Sequence, residues 1–230
     1  MARKNTRSTR SVAVIGLGRF GGAAAQALTN LGHDVLGIEE NMALVQSWST
    51  RLRHVVQADA TDEDVLRELG VDKMDHAIIA IGTDLEASVL AATTIADLGV
   101  PDIWAKALTA KHGRLLERMG VHHVLFPEAS MGERVAHQIA DHVLDYIEFG
   151  DGFTIAKVGV PPAAVGKTLA DYALRSEYGV TVVGVKRAGH DFEYATPETM
   201  VEEGNLLIVA GPTGKIQRFA AECTLPDSED

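Results

Sequence analysis

A glycine-rich segment near the start of the chain constrains the fold more than any other feature. Positions 16–21 have the sequence Gly-Leu-Gly-Arg-Phe-Gly, and they lie between an apolar run, predicted to be a buried strand, and a predicted helix. The G-x-G-x-x-G motif of dinucleotide-binding βαβ units requires this strand–turn–helix context. Gly16 permits the tight turn, Gly18 lets the backbone approach a phosphate, and Gly21 lets the helix pack close to the sheet. The free N–H groups and the dipole of the helix favour an anion at the turn. The candidate phosphate-binding residues are Gly16, Gly18, Arg19 and Phe20.

Two charged residues near this turn indicate which ligand it binds. Glu39 ends the second predicted strand, 23 positions after Gly16. A carboxylate there accepts hydrogen bonds from both ribose hydroxyls and repels a 2′-phosphate, which disfavours NADP. Arg19 lies in the first turn of the helix, where a guanidinium reaches a terminal phosphate. Because the bridged pyrophosphate of a dinucleotide needs no extra cation, Arg19 favours ATP or ADP; the alternative is a solvated surface arginine.

Further candidates follow the other predicted strands. Asp59 and Ala60 come after the third strand, where the carboxylate accepts from an adenine amino group, caps a helix or lies in an exposed turn. Thr83 lies in the loop after the fourth strand, beside the expected ligand crevice. Lys106 stands in an otherwise apolar fifth strand, so its ammonium group needs either a phosphate or access to solvent.

The order of predicted elements gives the fold class. Strand and helix alternate six times over 11–127, and the strands are continuous apolar runs typical of a sheet covered on both faces. We therefore predict an α/β fold with a Rossmann-type, doubly wound parallel sheet over 11–127. An amphipathic helix is predicted over 131–144, within a linking segment at 128–148. A small α+β domain is predicted over 149–230, with a short helix over 168–175 and a turn at 188–191.

Composition excludes several classes of protein. The 230 residues carry a net charge of −11, whereas a general nucleic-acid binder has a basic surface, so no nucleic-acid partner is expected. A single cysteine, Cys223, excludes a disulfide framework and is typical of the reducing cytoplasm. No apolar run approaches the ~18 residues of a membrane span. The segment 1–10 is basic and is predicted to be a disordered tail, the alternative being a contact to an acidic partner or a lipid surface.

Several segments together resemble one known family. The runs GLGRFGG, IEEN, ADAT, AIGTDLEAS, IWAKA and FPEASMGERVA, with GKTLADYALRSEYGVTVVGVKR near the C-terminus, resemble KtrA/TrkA-type regulatory subunits of bacterial potassium uptake systems, which are built on the RCK domain. The resemblance implies a Rossmann N-lobe, a crossover helix and a small C-lobe. It also implies dimers that assemble into an octameric ring at the cytoplasmic face of a membrane-embedded potassium channel or transporter subunit. Members bind ATP or ADP, and some bind NAD(H).

The resemblance also implies roles for single residues. Arg19 would reach the terminal phosphate of a nucleotide in a neighbouring subunit, and Lys106 would approach the phosphates. Glu39 would bind ribose, and Asp59 would lie at the adenine. Glu128 matches an acid that helps to bind an activating divalent cation, Mg²⁺ or Ca²⁺.

In the C-lobe, Asp171 and Arg175 match part of a cyclic di-AMP pattern found in some members of the family. The remainder of that pattern is poorly specified in this chain.

The function expected from these observations is a non-enzymatic switch in which ATP and ADP favour different ring conformations. One alternative is an NAD(H)-binding, TrkA-like sensor. Another is a sensor for a different transporter. A third is an NAD-dependent dehydrogenase, which shares the glycine motif and Glu39. Against the dehydrogenase, the C-terminal part offers no proton-transfer residue paired with a substrate anchor.

Overall fold

A computed structural model of the protein describes residues 9–82, 84–140, 143–187 and 189–224. The chain divides into two compact units, Met1–Glu128 and Ala129–Asp230. We describe each unit by itself.

The first unit contains a six-stranded parallel sheet with the strand order β3-β2-β1-β4-β5-β6. This order confirms the predicted Rossmann-type fold. The strand order reverses beside β1, whose neighbours are β2 and β4, and in such sheets ligands bind at the carboxyl ends of the strands at this reversal. The strands are β1 (Ser11–Ile15), β2 (Asp34–Glu39), β3 (His54–Gln57), β4 (His76–Ile79), β5 (Ile103–Lys106) and β6 (His123–Leu125).

Five helices of this unit follow strands and differ in how they begin. Asn41, Asp62, Asp84 and Thr109 each accept a backbone N–H bond in the first turn of the helix that follows them. Gly18, which precedes the first helix, has no side chain to do so. The first-turn N–H groups of that helix therefore stay available to an external acceptor. The helices are α1 (Arg19–Asn30), α2 (Met42–Trp48), α3 (Glu63–Glu68), α4 (Leu85–Asp97) and α5 (Ala110–Arg118).

The contact between α1 and the sheet depends on glycine. A Cβ atom added at Gly21 would lie 1.9 Å from the Gly16 carbonyl oxygen and 2.8 Å from the Ala80 Cβ. Gly16 itself has a φ of +87°, in the left-handed region that favours glycine. The predicted roles of Gly21 in close packing and of Gly16 in the tight turn are confirmed.

Asp102 joins the amino ends of three neighbouring strands. Its carboxylate accepts a hydrogen bond from the Trp104 indole N–H at 2.9 Å and bonds to His76 Nδ1 at 2.8 Å. His123 Nε2 lies 3.0 Å from the same carboxylate, and its ring stacks on Trp104 with 4.0 Å between centroids. Burial alone would raise the pKa of Asp102, but the hydrogen bonds and the two imidazoles lower it overall. This network ties β4, β5 and β6 together at the edge opposite the ligand crevice.

The second unit is the predicted small α+β domain. Its five-stranded sheet has the order β10-β9-β11-β8-β7, and every neighbouring pair is antiparallel. Its core centres on residues such as Val158, Leu207 and Phe219, each fully buried. The elements are α6 (Pro127–Ala140), which begins at the end of the first unit, β7 (Val143–Phe149), β8 (Phe153–Val158), α7 (Leu169–Tyr172), α8 (Leu174–Glu177), β9 (Thr181–Lys186), β10 (Phe192–Tyr194), β11 (Leu206–Pro212) and α9 (Thr213–Ala220).

The C-terminal end of the predicted helix over 131–144 is wrong, and so is the prediction that the linking segment is helical to residue 148. α6 ends at Ala140, and Val143–Phe149 is a strand paired with β8 through a turn at Gly152. The apolar spacing of four residues continues to Val143 and Ile147, but the segment is rich in β-forming residues and the hairpin satisfies its backbone. The domain boundaries themselves stay predictions.

Two smaller differences have local causes. The predicted helix over 168–175 is two short helices, because Ala173 between them has a φ of +53°. The short edge strand β10 was not predicted. Most of the basic tail, residues 1–8, lies outside the described residues, as does residue 188 of a predicted turn. None of the helices described is both long and apolar enough to cross a membrane.

The Gly21 contact gives a stability prediction. We expect Gly21→Ala to lower the free energy of unfolding by about 1–3 kcal/mol, because the added methyl group overpacks the contact with Gly16. Gly132→Ala, in α6, is the control, since its added Cβ meets no atom within 4 Å. That control should raise stability by about 0.5–1 kcal/mol. Chemical unfolding followed by circular dichroism measures both, and equal stability of the two variants would contradict the packing argument.

Candidate functional site

The glycine-rich turn is held by its neighbours before any ligand binds. The Gly16 N–H donates to the Ile38 carbonyl at 2.8 Å, and the Leu17 side chain is 1% exposed. At Gly18, an added Cβ would meet nothing within 4 Å. Gly18 therefore faces open space at the start of α1, as a phosphate-binding turn requires. Phe20, the next predicted residue, is half-buried in the first turn of α1.

Glu39 anchors this turn. Its Oε2 accepts the Leu17 N–H at 2.7 Å, and its Oε1 accepts the Asn41 N–H at 2.9 Å. Each carboxylate oxygen has two lone pairs, so ribose hydroxyls can bind to those that remain. The structure adds a role that the sequence did not indicate, because Glu39 supports the glycine-rich turn. Its contact to a ribose stays a prediction.

Asp59 and Ala60 lie in the turn after β3. The Asp59 carboxylate accepts from the Thr61 N–H at 2.8 Å and from its hydroxyl at 2.7 Å, and these bonds lower the pKa of Asp59. Asp62, not Asp59, caps the following helix. Asp59 is exposed and Ala60 is buried. Of the alternatives for Asp59, the helix cap is wrong, and a contact to adenine stays a prediction.

Lys106 has a partner that the sequence did not indicate. Its side chain is 11% exposed, and its Nζ lies 2.5 Å from Glu128 Oε1. Gly82 leaves room for it, since an added Cβ there would lie 3.1 Å from Nζ. The Lys106 hydrogen bond lowers the pKa of Glu128, and the positive charge of Arg19 lowers it further. Arg19, Lys106 and Glu128 thus form one charged group within the first unit.

Thr83, also predicted, lies outside the described residues. Within the described ranges, no three His, Cys, Asp or Glu side chains converge as metal ligands would. A role of Glu128 in binding a divalent cation stays a prediction.

Trp48 is the residue at this site that sequence reasoning missed. Its indole N–H donates to the Leu17 carbonyl at 2.9 Å. An added Cβ at Gly22 would lie 2.1 Å from the Trp48 ring, so only glycine accommodates the indole there. The sequence signal for this contact was Gly22, the last glycine of the run GLGRFGG.

These features define a class: a Rossmann-type protein with a built phosphate turn, joined to a small antiparallel α+β domain. Residues 12–127 match the TrkA-N domain and residues 153–224 match the TrkA-C domain. The chain belongs to the TrkA-N/TrkA-C family that includes the Ktr potassium uptake proteins. The predicted family is confirmed.

Two relatives match nearly end to end. Ktr system potassium uptake protein A of Bacillus subtilis (strain 168) is 34% identical over 214 residues, which are 93% of this chain and 96% of the relative. The protein of the same name from Vibrio alginolyticus is 36% identical over 208 residues, which are 90% and 94% of the two chains.

Solved structures share the fold. The GsuK channel superposes with a TM-score of 0.67 at 22% identity, over 98% of this chain and 41% of the channel chain. The GsuK channel bound to NAD gives a TM-score of 0.65 at 20% identity, over 97% of this chain and 41% of that chain. This chain thus spans less than half the length of those channel chains, and at such identity the likeness shows the fold alone.

The double contact of Glu39 gives a prediction that needs no ligand. In Glu39→Gln, one carboxylate oxygen becomes an NH₂ group, so either Leu17 or Asn41 loses its acceptor. We expect the free energy of unfolding to fall by about 1 kcal/mol. Glu40→Gln is the matched control, because the neighbouring Glu40 side chain is exposed. Urea unfolding at neutral pH measures both, and an equal effect of the two substitutions would refute the anchoring role.

Proposed function

We propose that this protein is the nucleotide-binding regulatory subunit of a potassium uptake system and that exchange of ADP for ATP changes its conformation. The observation that carries the proposal is the uncapped start of α1, where Gly18 faces open space and where the charges of Arg19 and Lys106 both act on Glu128. Two Ktr system potassium uptake proteins are 34% and 36% identical to this chain over nearly its full length, which supports a role in potassium uptake.

The charged group at this site favours a nucleotide with a terminal phosphate. A lysine as buried as Lys106 must keep an anionic partner, and here that partner is Glu128. A polyphosphate entering the crevice replaces Glu128 as the partner of Lys106. The released carboxylate can then bind a divalent cation beside the phosphates. Because ATP extends further than ADP, it makes contacts that ADP does not, and this difference shifts a conformational equilibrium.

NAD(H) is the second candidate ligand. The turn, Glu39 and the start of α1 suit any adenosine diphosphate moiety, and the GsuK channel bound to NAD has a similar fold. For either ligand we propose a switch and not an enzyme. A switch needs only that the ligand bind two conformations with different affinity, and it turns over no substrate. A dehydrogenase would instead oxidise a substrate with NAD.

We further propose that the protein forms homodimers that assemble into an octameric ring. The exposed apolar residues of α6 and β7 support self-association, with Met131 56%, Ile139 80% and Ile147 62% exposed. The ring would lie in the cytoplasm against a membrane-embedded potassium channel or transporter subunit. Light scattering measures the mass of the assembly.

Cyclic di-AMP is proposed as a second ligand, in the C-terminal unit. A cavity of about 540 Å³ there is lined by Arg175, Ser176 and Pro197 among others, and an arginine suits a phosphate. Asp171, the other predicted residue, lies in the first turn of α7, where its backbone N–H donates to the capping Thr168 hydroxyl and its carboxylate accepts from that hydroxyl at 2.7 Å. Titration with cyclic di-AMP tests the cavity.

Calorimetric titration with ATP, ADP, NADH and NADPH tests the main proposal. We expect Arg19→Ala to weaken ATP binding about tenfold more than ADP binding, because a charge-assisted contact to the terminal phosphate is lost. Arg118→Ala, in the last turn of α5, is the control. Equal losses for the two nucleotides would show that Arg19 does not distinguish them. Preferential NADH binding, or turnover of a substrate with NAD, would favour the alternatives.

Glu128 gives a second prediction. Glu128→Gln should abolish the strengthening of ATP binding by Mg²⁺ or Ca²⁺, because a neutral amide is a weak ligand for a hard cation. ADP binding without the cation should persist. Glu117→Gln, an exposed residue of α5, is the matched control. An unchanged response to the cation in Glu128→Gln would remove Glu128 from the cation site.

A further inference from the structure

The peptide groups on both sides of Leu17 are held by side chains from other elements. Its N–H donates to Glu39, at the end of β2, and its carbonyl accepts from Trp48, at the end of α2. The Leu17 side chain is buried among apolar residues of β1 and β2 and lies against Gly37, where an added Cβ would be 2.9 Å away. Leu17 is therefore fixed at its side chain, its amide and its carbonyl.

The carbonyl contact controls a neighbouring donor. A peptide group is planar and trans, so its C=O and its N–H point in opposite directions. The Leu17 carbonyl and the Gly18 N–H belong to the same peptide group. When the Trp48 indole fixes the direction of that carbonyl, it also fixes the direction of the Gly18 N–H at the open start of α1.

The position of Trp48 is itself determined by packing. The indole lies over Gly22 of α1, and it packs with the cluster that contains Val14 and Leu52. The Arg51 guanidinium lies over the ring, 5.2 Å from its centroid. Trp48 therefore has a defined orientation before a ligand binds, which is the condition for positioning another group.

We infer that Trp48 is a positioning residue of the nucleotide site, holding the Leu17–Gly18 peptide so that the Gly18 N–H faces a bound phosphate. The inference rests on the proposed function, because it concerns the phosphate end of the same nucleotide. It predicts that Trp48 affects phosphate recognition and leaves recognition of the nucleoside unchanged.

Trp48→Phe tests this inference, since it keeps an aromatic ring over Gly22 and removes the N–H. We expect about three- to tenfold weaker binding of ADP and ATP, the loss of one oriented hydrogen bond. Adenosine, measured by competition against a fluorescent nucleotide, should bind as it does to the unmodified protein. A residue with a purely structural role would weaken all three ligands alike.

Trp104→Phe is the matched control, because Trp104 donates its indole N–H to Asp102 at the opposite edge of the sheet. It should leave ADP binding unchanged. The chain has two tryptophans, so this variant also makes Trp48 the single fluorescent indole. ADP should then shift the Trp48 emission, whereas adenosine should not, and this readout stands even if Trp48→Phe fails to fold.

Equal weakening of ADP and adenosine, or no weakening of either, would overturn the positioning role while nucleotide binding stands. An emission shift with adenosine equal to that with ADP would overturn it as well. Failure of the unmodified protein to bind any nucleotide would instead overturn the proposed function, and the inference with it.

Discussion

The approach of α1 to the turn that precedes it is the constraint on which the first unit depends. Gly21 and Gly22 are adjacent, and each removes a side chain from a different side of the helix. At Gly21 the absent Cβ would collide with the Gly16 carbonyl, and at Gly22 it would collide with the Trp48 indole. The two glycines therefore let α1 pack on the sheet and against Trp48 of α2 at the same time. The N-terminus of α1 consequently lies at the point where the strand order reverses.

The ion pair at the site joins a nearly buried cation to an exposed anion. The protein as a whole carries a net charge of −11, yet Arg19, Lys106 and the start of α1 are all positive. Lys106 is nearly buried and Glu128 is 62% exposed, so the two members of the ion pair differ in how easily they move. The carboxylate can turn into solvent at little cost, whereas the ammonium needs a replacement anion. The proposed exchange of Glu128 for a phosphate depends on this asymmetry.

Most of the first unit was predictable because buried parallel strands and glycine-ended helices have strong local patterns. The segment 143–149 was not, since Val143 and Ile147 also continue the four-residue spacing of α6, and only the hairpin with β8 decides between helix and strand. The candidate residues Gly16, Gly18, Glu39 and Lys106 were found from strand ends. The side-chain contacts within the site could not be predicted. The Lys106–Glu128 pair and the Trp48–Leu17 bond join residues 22 and 31 positions apart, and such contacts leave no local pattern.

Different groups at the site face the part that the candidate ligands share and the parts in which they differ. The Gly18 N–H, the start of α1 and Glu39 offer contacts to a phosphate and a ribose, which ATP, ADP and NAD all contain. Such contacts are uniform across these ligands and cannot shift an equilibrium between them. Discrimination therefore falls to groups beyond the shared moiety, and the charged group of Arg19, Lys106 and Glu128 is placed to supply it. Under the proposed function, a terminal phosphate would meet Arg19 and Lys106 and displace the Glu128 carboxylate, whereas a nicotinamide riboside brings no further anion to these charges. If the proposal holds, the choice of ligand depends on the strength of the Lys106–Glu128 ion pair.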